Sequence, residues 1–389
     1  MKTFKSLISE QTEGQKLKHI EHLEDHPIND GAKGFENAVG ALEKVKNQIH
    51  MKTKSPDLTM KHDGSPSIVF GHHPDTGKFF VASKSAFNKT PKINYTPKDV
   101  EKNHGHAPGL VEKLKAALHH LPKVTPKKGV FQGDVLFSDK DKYESDGKIH
   151  FKPNTITYSA NKSSDEGKKI NNAKFGLYTH TEYRGNDSSA LNAHFDPDMS
   201  GFKHHPDVYH REPGHDTSKI NITPHQEQQY GYHLRKAMDI HRKEGKQMYA
   251  PIEKVKDHLK SYINTTVRTG EEPSVEGLQH HIITNYTKDM DKLKTNKAKD
   301  RKAEELKGKL QHVEGNKNHF DEVLKLHKHL QSAKDILVHS LAQQTGGLEH
   351  SVAGEKVKPE GFVVNYQGQP TKLNDRSEFN RLNFLARKQ

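Results

Sequence analysis

Apolar residues recur along this chain at two spacings, and each change of spacing marks a new segment. Between Gly34 and Ile49, Phe35, Val39, Leu42 and Val45 fall three or four apart, which lines one face of a helix. Residues 1–50 read as helical throughout, with a turn at Asp30-Gly31. The pattern then shortens. Ser67-Ile-Val-Phe70 and Lys78-Phe-Phe-Val-Ala82 flank the turn-rich His72–Gly77, which predicts a hairpin. Leu110, Leu114, Ala117, Leu118 and Leu121 share a helical face over about 108–121. Further strands are expected over Gly129–Phe137, Thr155–Ala160 and Lys174–Thr181. Residues 185–224 hold few apolar positions among many Asp, Asn, His, Gly and Pro, so a long irregular loop is expected.

Helical spacing returns from about 225 to 345. It opens on the cap signal Thr223-Pro224 and breaks near Gly270–Pro273 and Gly315. Leu326, Leu330, Ile336, Leu337 and Leu341 show that its last helix packs on something. The tail alternates again: Gly361–Tyr366 and Pro370–Leu373 predict a hairpin, followed by a short helix with Phe379, Leu382 and Phe384. Strand-rich parts thus lie on both sides of a helical block. The simplest organisation is one α+β domain, built from 1–224 and 351–389, carrying a helical insertion at 225–350.

Composition narrows the classes. Hydrophobic residues make up 31 % of the 389 and Trp is absent, so the core is modest. Lys and Arg number 62 against 50 Asp and Glu, a field that attracts phosphate backbones. The block over 225–345 holds 22 basic and 17 acidic residues, densest at Lys288–Lys309. Charge runs of that kind are ordinarily a solvated helix face. No Cys occurs, which excludes disulfides and thiolate chemistry and suits a reducing cytosol. Neither a signal peptide nor a run of about 18 apolar residues is visible, so a cytoplasmic protein without a membrane partner, and a monomer, is expected.

The most informative stretch is Met60-Lys61-His62-Asp63-Gly64-Ser65-Pro66, beside a strand. A Lys becomes a nucleophile once deprotonated, which neighbouring cations or desolvation favour. Asp63, two along, shares its face in extended chain and is placed to orient the amine. The same residues also describe an ordinary turn beside a surface lysine. Order along the chain separates the two readings. Lys61-His-Asp63-Gly64 resembles the K-x-D-G motif of the covalent nucleotidyltransferases, which include DNA ligases, RNA ligases and capping enzymes. Phe131-Gln-Gly-Asp134 resembles their third motif, Lys174-Phe175-Gly-Leu-Tyr178 the strand whose aromatic stacks on the purine, and Glu360-Gly361-Phe-Val the fourth motif. Lys372-Leu-Asn-Asp-Arg376 stands where their last motif supplies a Lys.

That resemblance implies an antiparallel-sheet nucleotidyltransferase (ATP-grasp-like) fold and an ATP-dependent polynucleotide ligase. Lys61 would take AMP from ATP and pass it to a 5′-phosphate, which a 3′-hydroxyl then joins. It implies catalytic roles for Lys61, Asp63 and Lys372, and nucleotide contacts from Met60, Lys84, Asp134, Phe175 and Glu360, with Tyr178 the alternative to Phe175 as the stacking ring. Glu360 and Asp134 would hold Mg²⁺, and Lys84, Lys89 and Arg376 would meet nucleic-acid phosphate. Residues 1–184 and 351–389 also resemble ligase-like proteins of large tailed bacteriophages. The chain departs from the common pattern at Asp134 (usually Glu), Lys84 (usually Arg) and Asn374 (often Lys), and no OB-fold follows Lys372. The lack of an OB-fold argues against capping chemistry. Low aromatic content favours a nicked duplex, DNA or a DNA/RNA hybrid, over isolated strands. The alternatives are an RNA ligase, or a non-catalytic nucleic-acid-binding protein on a decayed nucleotidyltransferase scaffold. His204, His205, His210 and His215 form the tightest histidine group, and solvated surface is the simpler account of it than a metal site.

Overall fold

The computed structural model describes residues 20–88, 90–185 and 191–378. Lys89 and the terminal segment with Phe379, Leu382 and Phe384 lie outside the described residues, as do 1–19. Helix α1 (His26–Met51) buries Phe35, Leu42 and Val45 of the predicted stripe, with Val39 only partly buried, and is kinked at Gly31 where the turn was expected. Strands β1 (Lys54–Met60), β2 (Ser67–His72) and β3 (Phe79–Ser83) follow, then helices α2 (Pro97–His104) and α3 (Pro108–His120). Next come β4 (Val130–Ser138), β5 (Lys142–Ser145), β6 (Lys148–Phe151), β7 (Thr157–Asn161), α4 (Asp165–Asn172) and β8 (Phe175–Arg184). The expected irregular loop holds three short strands, β9 (Asn192–His194), β10 (Val208–Arg211) and β11 (Gly214–Asp216). They are too short to leave an alternating pattern.

The helical block consists of α5 (Pro224–Glu244), a 3-10 stretch at Lys246–Val255, α6 (Lys256–Thr269), α7 (Val275–Asp291), α8 (Asn296–Gly315) and α9 (Lys317–Leu341). Thr223 caps α5 by accepting from Gln226 N, and the Gln226 side chain reciprocates. Strands β12 (Glu349–Val352), β13 (Glu355–Lys356), β14 (Phe362–Tyr366) and β15 (Gln369–Leu373) complete the described chain.

Three sheets result, in the orders β11-β1-β14-β15, β10-β8-β4-β2-β3 and β13-β12-β7-β6-β5. Among the named strands every pairing is antiparallel except β10 on β8, so the fold is α+β with antiparallel sheets. Helices α2 and α3 cover one face of the second sheet through Val100, Leu114 and Ala117.

The helical block is not a separable appendage. Leu58, Phe362, Val364 and Leu373 of the first sheet share one core with Leu42 of α1 and with Ile263, Leu278, Leu330 and Leu337 of the block. A buried ion cluster adds a second tie. Lys334 Nζ of α9 lies 2.9 Å from Glu24, and Arg376 makes two bonds to Asp25, at 3.0 and 2.7 Å. His327 of α9 reaches Asp25 at 2.9 Å. Opposite charges removed from water hold these three chain segments in one register, because any unpaired member would be left desolvated. Among the described residues, no helix is long and apolar enough to cross a membrane.

Candidate active site

The segment Lys61–Pro66 crosses from the first sheet to the second, and the site forms at this crossing. Met60 pairs with Phe362 across β1 and β14, and Lys61 N donates to Gly361 O at 2.9 Å. That register sets Lys61 beside Glu360, and the Lys61 ammonium donates to Glu360 Oε1. Gly361 has φ +151°, and a Cβ there would meet the Asn374 side chain at 2.6 Å. A glycine after Glu360 is therefore required for β14 to start against the end of β15. Lys372, on β15, pairs with Val363. Half-burial and the charge of Lys61 lower its pKa.

Asp134 of β4 approaches from the second sheet. It pairs with Ser67 and Tyr178 on its two neighbouring strands. A Cβ on Gly64 would come within 2.6 Å of the Asp134 Cβ, so the crossing segment lies directly on this residue. Ser65 N bonds Val135 O at 2.9 Å and holds it there. Burial raises the Asp134 pKa, but His180, the Ser67 hydroxyl and the Lys61 charge outweigh it and leave the carboxyl below its usual value. Glu360 differs. Burial raises its pKa and Lys61 only partly offsets this. Glu360 Oε2 is buried without a hydrogen-bond partner.

Several expectations are corrected here. Asp63 does not orient the Lys61 amine. Its carboxylate accepts from Asn154 Nδ2 at 2.9 Å, Thr155 N at 2.7 Å and Ile156 N at 2.9 Å. Because Lys61–Pro66 has left the sheet, strand alternation no longer fixes its faces, and Asp63 clamps the turn between β6 and β7. Phe175 is fully buried in the core with Phe70 and Leu114, so it offers no ring to a purine. Tyr178 is also buried, its ring 4.7 Å from that of His62. Arg376 is committed to the Glu24–Asp25 cluster and has no face for phosphate. The Met60 side chain joins the core around Leu58. Lys84 is exposed, one step beyond Ser83 ↔ Ile68, at the Ser67 and Asp134 end of the sheet. Lys89 lies outside the described residues.

Sequence reasoning missed three contributors. Tyr158 accepts from Asp63 N at 2.7 Å, and Asn154 binds the same residue. His180 is the extra residue of a bulge in β8, between the pairs Gln132 ↔ Thr181 and Gly133 ↔ Thr179. The bulge re-aims its ring so that Nε2 lies 3.5 Å from Asp134 Oδ1. A bulge leaves no mark in a hydrophobic pattern.

Among the described residues, no three His, Asp or Glu converge to cage a metal. The orphaned Glu360 Oε2 is the atom a Mg²⁺ ion would take, with phosphate and water supplying most other positions.

The chain belongs to the family described as "Family of unknown function (DUF6267)", whose profile matches residues 17–388. No curated protein and no solved structure matches it significantly.

Proposed function

We propose that the protein is an ATP-dependent polynucleotide ligase of the covalent nucleotidyltransferase type. The observation that carries this reading is the contact of Lys61 with Glu360, 299 residues away, with Lys372 and Asp134 bearing on the same amine electrostatically. The Lys61 ammonium first passes a proton by way of Glu360 Oε1, the oxygen it touches, to solvent water, which leaves Glu360 ionised. The free amine then attacks the α-phosphorus of ATP. A P–N bond forms, the bond to the β-phosphate oxygen breaks, and pyrophosphate leaves. Lys372 stabilises the negative charge that builds on the α-phosphate. Glu360 Oε2 would hold a Mg²⁺ ion, which would supply further neutralisation of phosphate charge. A 5′-phosphate oxygen next displaces Lys61 from the AMP, and a 3′-hydroxyl finally displaces AMP to form the phosphodiester.

One observation favours a second reading, a non-catalytic nucleic-acid-binding protein. Neither Phe175 nor Tyr178 has an exposed ring for a purine. The deciding assay offers nicked DNA, nicked RNA and hybrid duplexes with ATP and Mg²⁺. Sealing of a nicked duplex, lost in Lys61→Ala, is expected. Binding of all three without sealing, and with no AMP on the protein, would favour the second reading.

A further inference from the structure

The crossing segment has a second side. Met60 and His62, which flank Lys61, both line a cavity of about 660 Å³ whose lining does not include Lys61 or Glu360. Its walls come from the end of α4, the approach to β10, and strands β10 and β11. The volume suits a nucleotide-sized ligand, since small-molecule sites run from about 300 to 1,000 Å³.

Charge defines what it can hold. Lys54, Lys168, Lys169, Lys203 and Arg211 line the cavity, against the carboxylates Glu166, Glu212 and Asp216. Each carboxylate is engaged. Glu166 accepts from Tyr209 at 2.5 Å and from Arg211 at 3.0 Å, Glu212 pairs with Lys54 at 2.5 Å, and Asp216 accepts from Ser218 N at 2.8 Å. Lys168 and Lys203 are exposed and form no ion pair among the described residues. Positive charge is thus in excess around a concave surface, where field lines focus on an anion.

The histidines grouped in the sequence, His204, His205, His210 and His215, all line this one cavity. They do not form a metal cage, and a cation would be repelled by the lysines around them. His62, His210 and His215 are pushed below their usual pKa by burial, so at neutral pH they act as uncharged hydrogen-bonding groups. His62 is 3 % exposed, and its Nδ1 is buried with no hydrogen-bond partner.

We infer that this cavity is a second ligand site, distinct from the Lys61–Glu360 face, which binds a phosphate group carried by a nucleotide or by a nucleic-acid end. The inference does not depend on AMP transfer at Lys61.

Calorimetric titration with inorganic pyrophosphate in EDTA tests it, on wild type, on the Lys168→Glu/Lys203→Glu double variant, and on Lys61→Ala. Both lysines of the double variant are exposed, and matching circular dichroism melts check that it folds. The expected result is binding by wild type and Lys61→Ala, weakened at least about tenfold in the double variant, where two cations become anions. AMP and a 5′-phosphorylated oligonucleotide, beside its 5′-hydroxyl form, then identify which source of phosphate is bound. Absence of wild-type binding, an unchanged double variant, or an equal loss in Lys61→Ala would each overturn the proposal.

Discussion

Asp63 shows how a motif residue can act at one remove from the chemistry its motif suggests. Its carboxylate collects three donors from Asn154, Thr155 and Ile156, while the Lys61 amine meets Glu360. Asp63→Ala leaves two backbone N–H groups without their acceptor. It should lower stability by roughly 1–3 kcal/mol, together with a loss of AMP transfer, because the crossing segment is no longer clamped. Urea unfolding beside adduct formation checks this. Lost transfer with unchanged stability would instead place Asp63 on the amine itself. At this scale much of the site was legible. Lys61, Gly64, Asp134, Glu360 and Lys372 were singled out by their resemblance to the ordered motifs of the covalent nucleotidyltransferases, and the fold brings Lys61 and Glu360 into contact. Phe175 was misread because β8 is covered on both faces over Phe175–Thr179, so neither it nor Tyr178 is left open, and alternation cannot report that. Arg376 was misread for a related reason. Its partners Glu24 and Asp25 lie at the other end of the chain, and no local spacing reveals them.

Among elements, periodicity located β2, β3, β4, β7 and β8, helices α1 and α3, the helical block and the closing hairpin to within a few residues. It missed the seven-residue β1, the eight-residue α2 and α4, and the short β5, β6 and β9–β13, which have two to four residues each and leave little alternation to detect. It also gave the helical block too much independence. An amphipathic stripe reports that a helix packs, not what it packs on, and α9 packs within the core of the first sheet. The contact between Lys334 and Glu24 is fully buried, so removing one partner strands a charge. Lys334→Met is expected to destabilise the protein by roughly 3–5 kcal/mol. Equilibrium denaturation measures it, and a loss below about 1 kcal/mol would mean that water reaches the pair. Because Arg376 of the same cluster follows Lys372 by four residues, such a loss should also reduce AMP transfer.

For the whole molecule, the 30 histidines acquire a thermodynamic meaning. Burial pushes His22, His120, His210, His215 and His350 down to about 4. In the unfolded chain each titrates near about 6.5, so between these values the unfolded state binds more protons. Their contribution to stability is complete above about pH 6.5 and is lost as pH falls toward 4. Asp335, raised to about 6 by burial, and Glu360, also raised by burial, act in the opposite sense, but they are two groups against five. The melting temperature should therefore drop by more than roughly 5 °C from pH 7.5 to pH 5. A flat profile over that range would show these histidines to be solvated. The central claim remains that Lys61, Glu360 and Lys372 form a centre for covalent nucleotidyl transfer. Intact-mass measurement after incubation with Mg²⁺ and ATP, GTP or NAD tests it most directly, once any adduct already on the purified protein has been excluded. The account predicts one AMP added from ATP to the wild type and none to Lys61→Ala. No adduct from any of the three nucleotides, or an adduct that survives in Lys61→Ala, would contradict it.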